Sequence, residues 1–235
     1  MSTTDRLGAV IVAAGSGTRM GGLDKLFTEV AGRPLLAHAI AAFQECDAVE
    51  RIVLVLAAEN VERGQALARA QGFSKVCAVV PGGKRRQDSV RIGLEALGGC
   101  EYVAVHDGGR PLVSVELIER GLEAARESSA AVPALPTVDT VKEAGGDGLV
   151  VRTLDRSRLW ATQTPQVFRY DLLARAHREI RSDPSASLRA GYTDDASMLE
   201  ALGVPVRLFP GERRNIKVTT PEDLELVRAL FEGGA

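Results

Sequence analysis

Short continuous runs of apolar residues alternate with stretches of helical spacing through the first half of the chain. The runs are typical of buried strands, and the stretches between them repeat apolar residues every three or four positions, as amphipathic helices do. The predicted strands are Ala9–Ala14, Arg51–Leu56, Lys75–Val80, Glu101–Val105 and Ala130–Leu135. Helices are predicted from Pro34, over Val61–Gln71, from Asp88 or Ser89, and from Ser114. This alternation predicts a three-layer α/β fold, with a mostly parallel sheet between helices.

The pattern changes after Thr137. Two alternating segments, Thr137–Lys142 and Leu149–Leu154, flank the glycine-rich stretch Ala144–Gly148, which predicts a β-hairpin. An isolated hairpin is marginal in water, so we expect this protruding arm to lie on its own chain or on a second subunit. Later elements are a helix over Asp171–Arg181, a strand over Val204–Phe209, and helices after Thr193 and Thr220. With no repeat and no linker, residues 1–235 are predicted to form one domain, with the arm at about 137–154.

The first predicted strand leads into a glycine-rich turn, Gly15-Ser16-Gly17-Thr18-Arg19-Met20, and then Lys25. Backbone N–H groups of such a turn can approach an anion closely, and Arg19 and Lys25 add positive charge. A dinucleotide fingerprint would need glycine at Met20, and a Walker loop would need Lys-Ser/Thr after Gly22, so neither pattern fits. The remaining pattern, G-x-G-x-R-M and a later lysine, resembles the signature loop of nucleotidyltransferases that activate sugar or polyol phosphates. A plain turn with surface charges is the alternative.

Two further turns follow predicted strands. The stretch 81–90, PGGKRRQDSV, permits close approach of a flat ligand and offers helix-capping residues, although a solvated basic turn is the alternative. Asp107 follows the next strand, at the edge where open α/β sheets bind ligands, and its carboxylate suits Mg²⁺ carrying a polyphosphate. Asp107 could instead have only a structural role in a turn, because Asp-Gly is a common turn dipeptide. Farther along, Arg156 lies near a threonine cluster and could hold a phosphate bidentately.

The amino-acid composition limits the kinds of partner that the protein is expected to bind. The formal net charge of the 235 residues is −2, so no whole-surface field favours nucleic acid or an anionic membrane, and small-molecule partners are expected. Cys46, Cys77 and Cys100 lack the paired spacing of a zinc site and are predicted to be buried in a reducing cytosol. No apolar stretch reaches the roughly 18 residues of a membrane span, and no secretion signal begins the chain. A cytoplasmic protein with no membrane association is expected.

Eight motifs occur in order along nearly the whole chain. They are AAGSGTRM, GGKRRQDSV, HDGGRP, DT-V-K, DR-x-x-LW, TPQ, TDDASMLE and NIKVTTPEDL. Together they closely resemble the 2-C-methyl-D-erythritol 4-phosphate cytidylyltransferase family of the non-mevalonate isoprenoid pathway. The first three also recur in related enzymes such as ribitol-5-phosphate cytidylyltransferases, so they indicate the reaction better than the substrate. The chain departs from the family at Asp24-Lys25-Leu26, where Pro-Lys-Gln is common, and at Gly108 and Gly109, where alanines are usual.

The resemblance implies a Rossmann-like nucleotidyltransferase fold that transfers CMP from CTP to methylerythritol 4-phosphate, giving 4-CDP-2-C-methyl-D-erythritol and pyrophosphate. It also implies Mg²⁺ as cofactor, held by Asp107, and a homodimer in which each arm reaches the neighbour's site. The implied catalytic residues are Arg19, Lys25, Arg156 and Lys217. Those implied to bind CTP are Ala13, Ala14, Gly15, Gly17, Lys25, Gly83, Ser89 and Asp107. Those implied to bind the polyol phosphate are Arg110, Thr140, Arg156, Thr164, Thr193 and Lys217.

The implied chemistry agrees with the residue types. A phosphate oxygen is already ionised at neutral pH, so no general base is required, and catalysis rests on in-line positioning and cations. A ribitol-5-phosphate cytidylyltransferase is the runner-up hypothesis. A non-catalytic nucleotide-binding module is the other alternative, and the retained cations disfavour it. The chain length also predicts that no cyclase domain of the same pathway is fused to it.

Overall fold

The computed structural model describes residues 6–15, 25–182 and 192–233. Its strands are β1 (Leu7–Ala13), β2 (Glu29–Val30), β3 (Arg33–Pro34), β4 (Val49–Leu56), β5 (Val76–Pro81), β6 (Tyr102–Asp107), β7 (Ala130–Pro136), β8 (Lys142–Ala144), β9 (Val150–Thr153), β10 (Trp160–Thr162), β11 (Gln166–Arg169) and β12 (Arg207–Pro210). Its helices are α1 (Leu35–Glu45), α2 (Val61–Ala70), α3 (Arg86–Leu97), α4 (Val115–Ser128), α5 (Tyr170–Ser182), α6 (Asp195–Ala201) and α7 (Pro221–Glu232).

The main sheet has the strand order β10-β7-β11-β6-β1-β4-β5, and β12 pairs with β7. Strands β6, β1, β4 and β5 are parallel, whereas β11 runs antiparallel to β6 and β7. Val12 of β1 pairs with Asp107 of β6 on one side and with Val55 of β4 on the other. The turns after β1 and β6 therefore leave the same edge of the sheet, next to the turn after β5.

Hydrophobic residues cover both faces of this sheet. Along β1, Ile11 packs into a cluster that includes residues of α1 and α4, and its neighbour Val10 packs into a second cluster with residues of α3. Successive side chains of a strand point to opposite faces, so both faces of β1 are buried. The three-layer, mostly parallel α/β fold predicted from the sequence is confirmed.

Helix ends follow the predicted capping residues in two cases and not in a third. The Ser114 hydroxyl accepts a hydrogen bond from the backbone N–H of Leu117, and Thr220 begins α7 with a capping box and Pro221 at its first position. Neither Asp88 nor Ser89 is the N-cap of α3, because α3 begins at Arg86 and its N-cap is Arg85. Asp88 does take part in capping, since its carboxylate accepts from the backbone N–H of Arg85 as the third residue of a capping box.

The arm is formed by β8 and β9, which pair antiparallel and are exposed along their length. The ladder is shorter than predicted, and it includes a register shift between Glu143 and Ala144.

Cys77 is exposed rather than buried, because β5 lies at the end of the strand order, whereas Cys46 is buried as predicted. Within the described residues, no helix is long and apolar enough to cross a membrane.

Candidate active site

A cavity of about 440 Å³ lies beyond the carboxyl ends of β1, β5 and β6. It is enclosed by the described part of the first glycine turn, the turn after β5, and the segment before α7. Open α/β sheets bind ligands at this edge. The predicted site residues that line it are Ala13, Ala14, Gly15, Lys25, Gly83, Ser89, Asp107 and Lys217.

Asp107 is the acidic centre of the cavity. Its Oδ2 lies 2.7 Å from Nζ of Lys217, and its Oδ1 lies 3.1 Å from Nε of Arg86. Nε of Arg110 is 3.9 Å from Oδ2. Burial alone would raise the pKa of Asp107, but the charges of Arg86, Lys217 and Arg110 outweigh it and hold the pKa well below its ordinary value. The carboxylate is therefore ionised at neutral pH.

Lys25 and Lys217 come together from opposite ends of the chain. Nζ of Lys25 donates a hydrogen bond of 2.8 Å to the carbonyl of Val218, the residue after Lys217. The backbone N–H of Val218 in turn donates to the carbonyl of Gly109, 2.8 Å away in the turn after β6. These bonds join the first turn, the turn after β6 and the carboxyl-terminal segment around the cavity.

The turn after β5 packs tightly against the first turn. A Cβ at Gly82 would lie 2.3 Å from Cβ of Ala14 and 2.7 Å from Oγ of Ser89, so only glycine allows this approach. The N–H of Gly83 donates to Oγ of Ser89 over 3.1 Å. Backbone groups of Gly15 and Gly83 thus line the cavity without bulky side chains, as a flat base would require.

Two residues predicted to bind substrate are hydrogen-bonded inside the protein. Oγ1 of the buried Thr164 accepts from the backbone N–H of Asp107 over 3.0 Å and also contacts Nδ1 of His106 at 3.1 Å. The guanidinium of Arg110 donates to the carbonyl of Asn215 over 2.7 Å. Burial lowers the pKa of His106 to about 4, so its ring is neutral at pH 7. The substrate contacts of Thr164 and Arg110 stay predictions.

Three other predicted residues lie away from this cavity. Thr140, Arg156 and Thr193 are exposed and do not line it. The Arg156 guanidinium donates a 2.7 Å hydrogen bond to the carbonyl of Val138, which belongs to the arm region. Gly17 and Arg19 lie outside the described residues.

The sequence interpretation missed Arg86 as a member of the site. It treated the basic stretch after Gly83 as a solvated turn or a capping segment, yet Arg86 lines the cavity and contacts Asp107. Its second carboxylate partner, Asp195, is fully buried. A buried carboxylate is stable only when it is paired with a cation. The acidic pair Asp194-Asp195 in TDDASMLE was therefore the sequence signal that could have pointed to a cationic partner.

The fold and the cavity define an α/β nucleotidyltransferase, with a glycine turn, a cluster of cations and one carboxylate at the edge of a parallel sheet. The family model described as "IspD: 2-C-methyl-D-erythritol 4-phosphate cytidylyltransferase" matches residues 7–232. The chain belongs to this family.

Curated relatives and solved structures agree with this assignment. The 2-C-methyl-D-erythritol 4-phosphate cytidylyltransferase of Dehalococcoides mccartyi strain CBDB1 is 47% identical over 234 residues, which cover 100% of both chains. That of Pelotomaculum thermopropionicum is 46% identical, with 97% of this chain and 95% of the relative covered. The crystal structure of the Thermus thermophilus enzyme superposes with a TM-score of 0.74 at 36% identity, covering 95% of this chain and 98% of that one.

Proposed function

We propose that the protein transfers CMP from CTP to the 4-phosphate of 2-C-methyl-D-erythritol, in the synthesis of isoprenoid precursors. An oxygen of the acceptor phosphate attacks the α-phosphorus of CTP and forms a new P–O bond. The bond between the α-phosphorus and the bridging oxygen breaks, and pyrophosphate leaves with the electron pair. The observation that carries the proposal is one cavity lined by the cations Lys25, Arg86 and Lys217 and by the ionised carboxylate of Asp107, in a chain of this family.

We assign the cations to charge stabilisation and positioning. The reaction brings two polyanions together, so its barrier is lowered by fixed positive charge and in-line geometry rather than by proton transfer. Lys25 and Lys217 lie on the cavity wall, and we assign Arg19 to the same role. The backbone of Gly15 and Gly83, with Ser89, receives the nucleotide.

Asp107 fits a divalent cation. Its carboxylate is ionised and lines the cavity, and its Oδ2 faces the flexible, partly exposed head of Lys217. Mg²⁺ is commonly held by one or two carboxylates together with substrate phosphates, and Asp107 would supply such a carboxylate. When bound, Mg²⁺ would neutralise part of the phosphate charge.

The arm supports a homodimer. It exposes Val138, Leu149, Val150 and Val151, which are 60%, 70%, 59% and 65% exposed. A hairpin with these side chains in water is unfavourable, and a second copy of the chain would cover them. The arm region also carries Thr140 and Arg156, which we assign to the polyol phosphate bound by the neighbouring subunit. We place the enzyme in the cytoplasm.

A coupled pyrophosphate-release assay tests the proposal. With CTP and Mg²⁺, we expect turnover of methylerythritol 4-phosphate and a kcat/KM at least about 100-fold lower for ribitol 5-phosphate, because a site built for one set of hydroxyls leaves polar groups unpaired with another. Equal or better turnover of ribitol 5-phosphate would contradict the substrate assignment. Absence of CTP-dependent pyrophosphate release with either acceptor would contradict the enzymatic one.

A further inference from the structure

Arg86 lies between two carboxylates. Its Nε is 3.1 Å from Oδ1 of Asp107, which lines the cavity, and its Nη1 is 2.6 Å from Oδ2 of Asp195, which does not. The side chain of Arg86 is 28% exposed, and that of Asp195 only 1%. The planar guanidinium suits this arrangement, because its donors can bond two acceptors in fixed directions.

Asp195 depends on this contact for its charge balance. It is the first residue of α6, and Asp194 before it caps the helix by accepting from the N–H of Ser197. Nε2 of His177 is 3.9 Å from the other carboxylate oxygen, but burial lowers the pKa of His177, so this ring is mainly neutral at neutral pH. Within residues 6–15, 25–182 and 192–233, Arg86 is therefore the cation that compensates the buried Asp195, since an uncompensated buried carboxylate is strongly destabilising.

Of the three cations near Asp107, Arg86 and Lys217 make the two short contacts, and they differ in how firmly they are held. Arg86 starts α3 and is held by a second, buried carboxylate, whereas the Lys217 side chain is 43% exposed and carries its ammonium on a long stem that can change rotamer. When a polyphosphate enters, Lys217 can turn toward it without leaving Asp107 unpaired. Arg86 would meanwhile keep the carboxylate in one orientation, with Oδ2 facing the cavity.

We propose that Arg86 is a positioning residue for the reaction, that the buried Asp195 fixes it, and that the pair holds the Asp107 carboxylate in place while Lys217 moves to the phosphates. This inference rests on the proposed function; it gives Arg86 a specific role there and adds Asp195. It predicts that Asp195, which does not line the cavity, nevertheless affects the chemical step.

Asp195→Asn removes the negative charge at nearly constant volume. Because Arg86 is then no longer held, we expect kcat to fall by about 10- to 100-fold, as when an orienting partner of a site residue is lost. The KM for CTP should change by less than about threefold, because the wall that receives the nucleotide is untouched. Arg86→Lys keeps the charge but loses the planar fork, so we expect a similar loss and no rescue.

A double-mutant cycle separates positioning from stability alone. If Arg86 and Asp195 act as one unit, the double variant Arg86→Lys/Asp195→Asn loses about as much kcat as the worse single variant. The matched control is Glu95→Gln, the same chemical change in the exposed ion pair with Arg91 on α3, and it should keep parental kcat. Each kcat is expressed per folded molecule, and the folded fraction of each variant is obtained from thermal unfolding followed by circular dichroism.

The outcomes are distinct. Loss of kcat in the folded variants, with KM nearly unchanged and a non-additive cycle, supports the positioning role. A lower melting temperature with parental kcat per folded molecule would overturn it, as would an additive cycle. Parental enzyme that fails to use CTP and methylerythritol phosphate would overturn the proposed function instead, and calorimetric titration with CTP would show whether the nucleotide still binds.

Discussion

In the cavity, the charged side chains of Asp107, Arg86, Lys217 and Lys25 are held by contacts with other parts of the chain. Asp107 contacts Arg86 and Lys217, and Lys25 is bonded to the backbone beside Lys217. In the arm region, Arg156 donates to the carbonyl of nearby Val138, and the strands beside it are exposed. The contacts of the cavity are thus made within one chain, whereas we propose that the exposed arm is completed by a second copy.

The largest effect is expected in the cavity. Lys25→Met removes a cation from the wall while keeping an unbranched side chain, and kcat should fall by about 10²- to 10³-fold, as for the loss of one preorganised donor. Steady-state kinetics with CTP and methylerythritol phosphate measures this. Arg169→Ala, which removes an exposed cation paired with Asp171, is the control and should be nearly neutral. Parental kcat in the Lys25 variant would contradict a catalytic role for this lysine.

The next effect concerns stability and its pH dependence. Asp107→Asn leaves Arg86, Lys217 and Arg110 without their shared carboxylate and should cost roughly 3 kcal/mol of unfolding free energy at pH 7. The folded-state pKa of Asp107 lies below its unfolded value, so its contribution is present above about pH 4 and is lost as the pH falls through the folded pKa.

Denaturant unfolding at several pH values checks this prediction. The difference between parent and Asp107→Asn should shrink steadily below about pH 4. Asp171→Asn, in an exposed pair, is the control and should change little at any pH. A parent–variant difference that grows in acid would show that the sign is wrong.

A smaller effect is expected in the arm region. Arg156→Ala should lower kcat/KM for the polyol phosphate by about 10- to 100-fold, the usual cost of a hydrogen bond to a charged group, while CTP affinity stays the same. Arg152→Ala, on β9 and paired with Glu143, tests whether any arm arginine has this effect, and it should be nearly neutral. If both variants lost activity equally, the loss would come from the arm as a whole rather than from a phosphate contact.

The smallest effect compares two threonines. Thr164→Val removes a buried hydroxyl that accepts from the Asp107 backbone and should cost about 1–3 kcal/mol of stability. Thr153→Val removes an exposed hydroxyl on the arm, hydrogen-bonded to Lys142, and should cost less than about 0.5 kcal/mol. Equal losses would contradict the contrast between cavity and arm. A rise in KM for the polyol phosphate in the Thr164 variant would support its predicted substrate contact.

The residues in the turns at the sheet edge are easier to predict from the sequence than the long-range contacts that hold them in place. Asp107 and Gly83 can be predicted as site residues because each lies in a turn that directly follows a predicted strand. The family motifs also identify Lys25 and Lys217, and all four residues line the cavity. Arg86 and Asp195 are 109 positions apart, and their pairing depends on the burial of α6 against the sheet. From the local sequence, Arg86 is predicted to be a solvated cation and Asp195 an acidic residue in the first turn of a helix. Neither prediction includes burial, because burial of a charge depends on the tertiary structure.

Mixing two impaired variants tests most directly whether one site is built from the cavity of one chain and the arm of another. Lys217→Met impairs only the cavity and Arg156→Ala only the arm, so a mixed dimer would contain one site with both residues intact. After random subunit exchange, we predict recovery of about a quarter of parental activity, because half of the dimers are mixed and each has one intact site. If each arm served its own chain, no site in the mixture would be intact, and activity no higher than that of the separate variants would contradict the account.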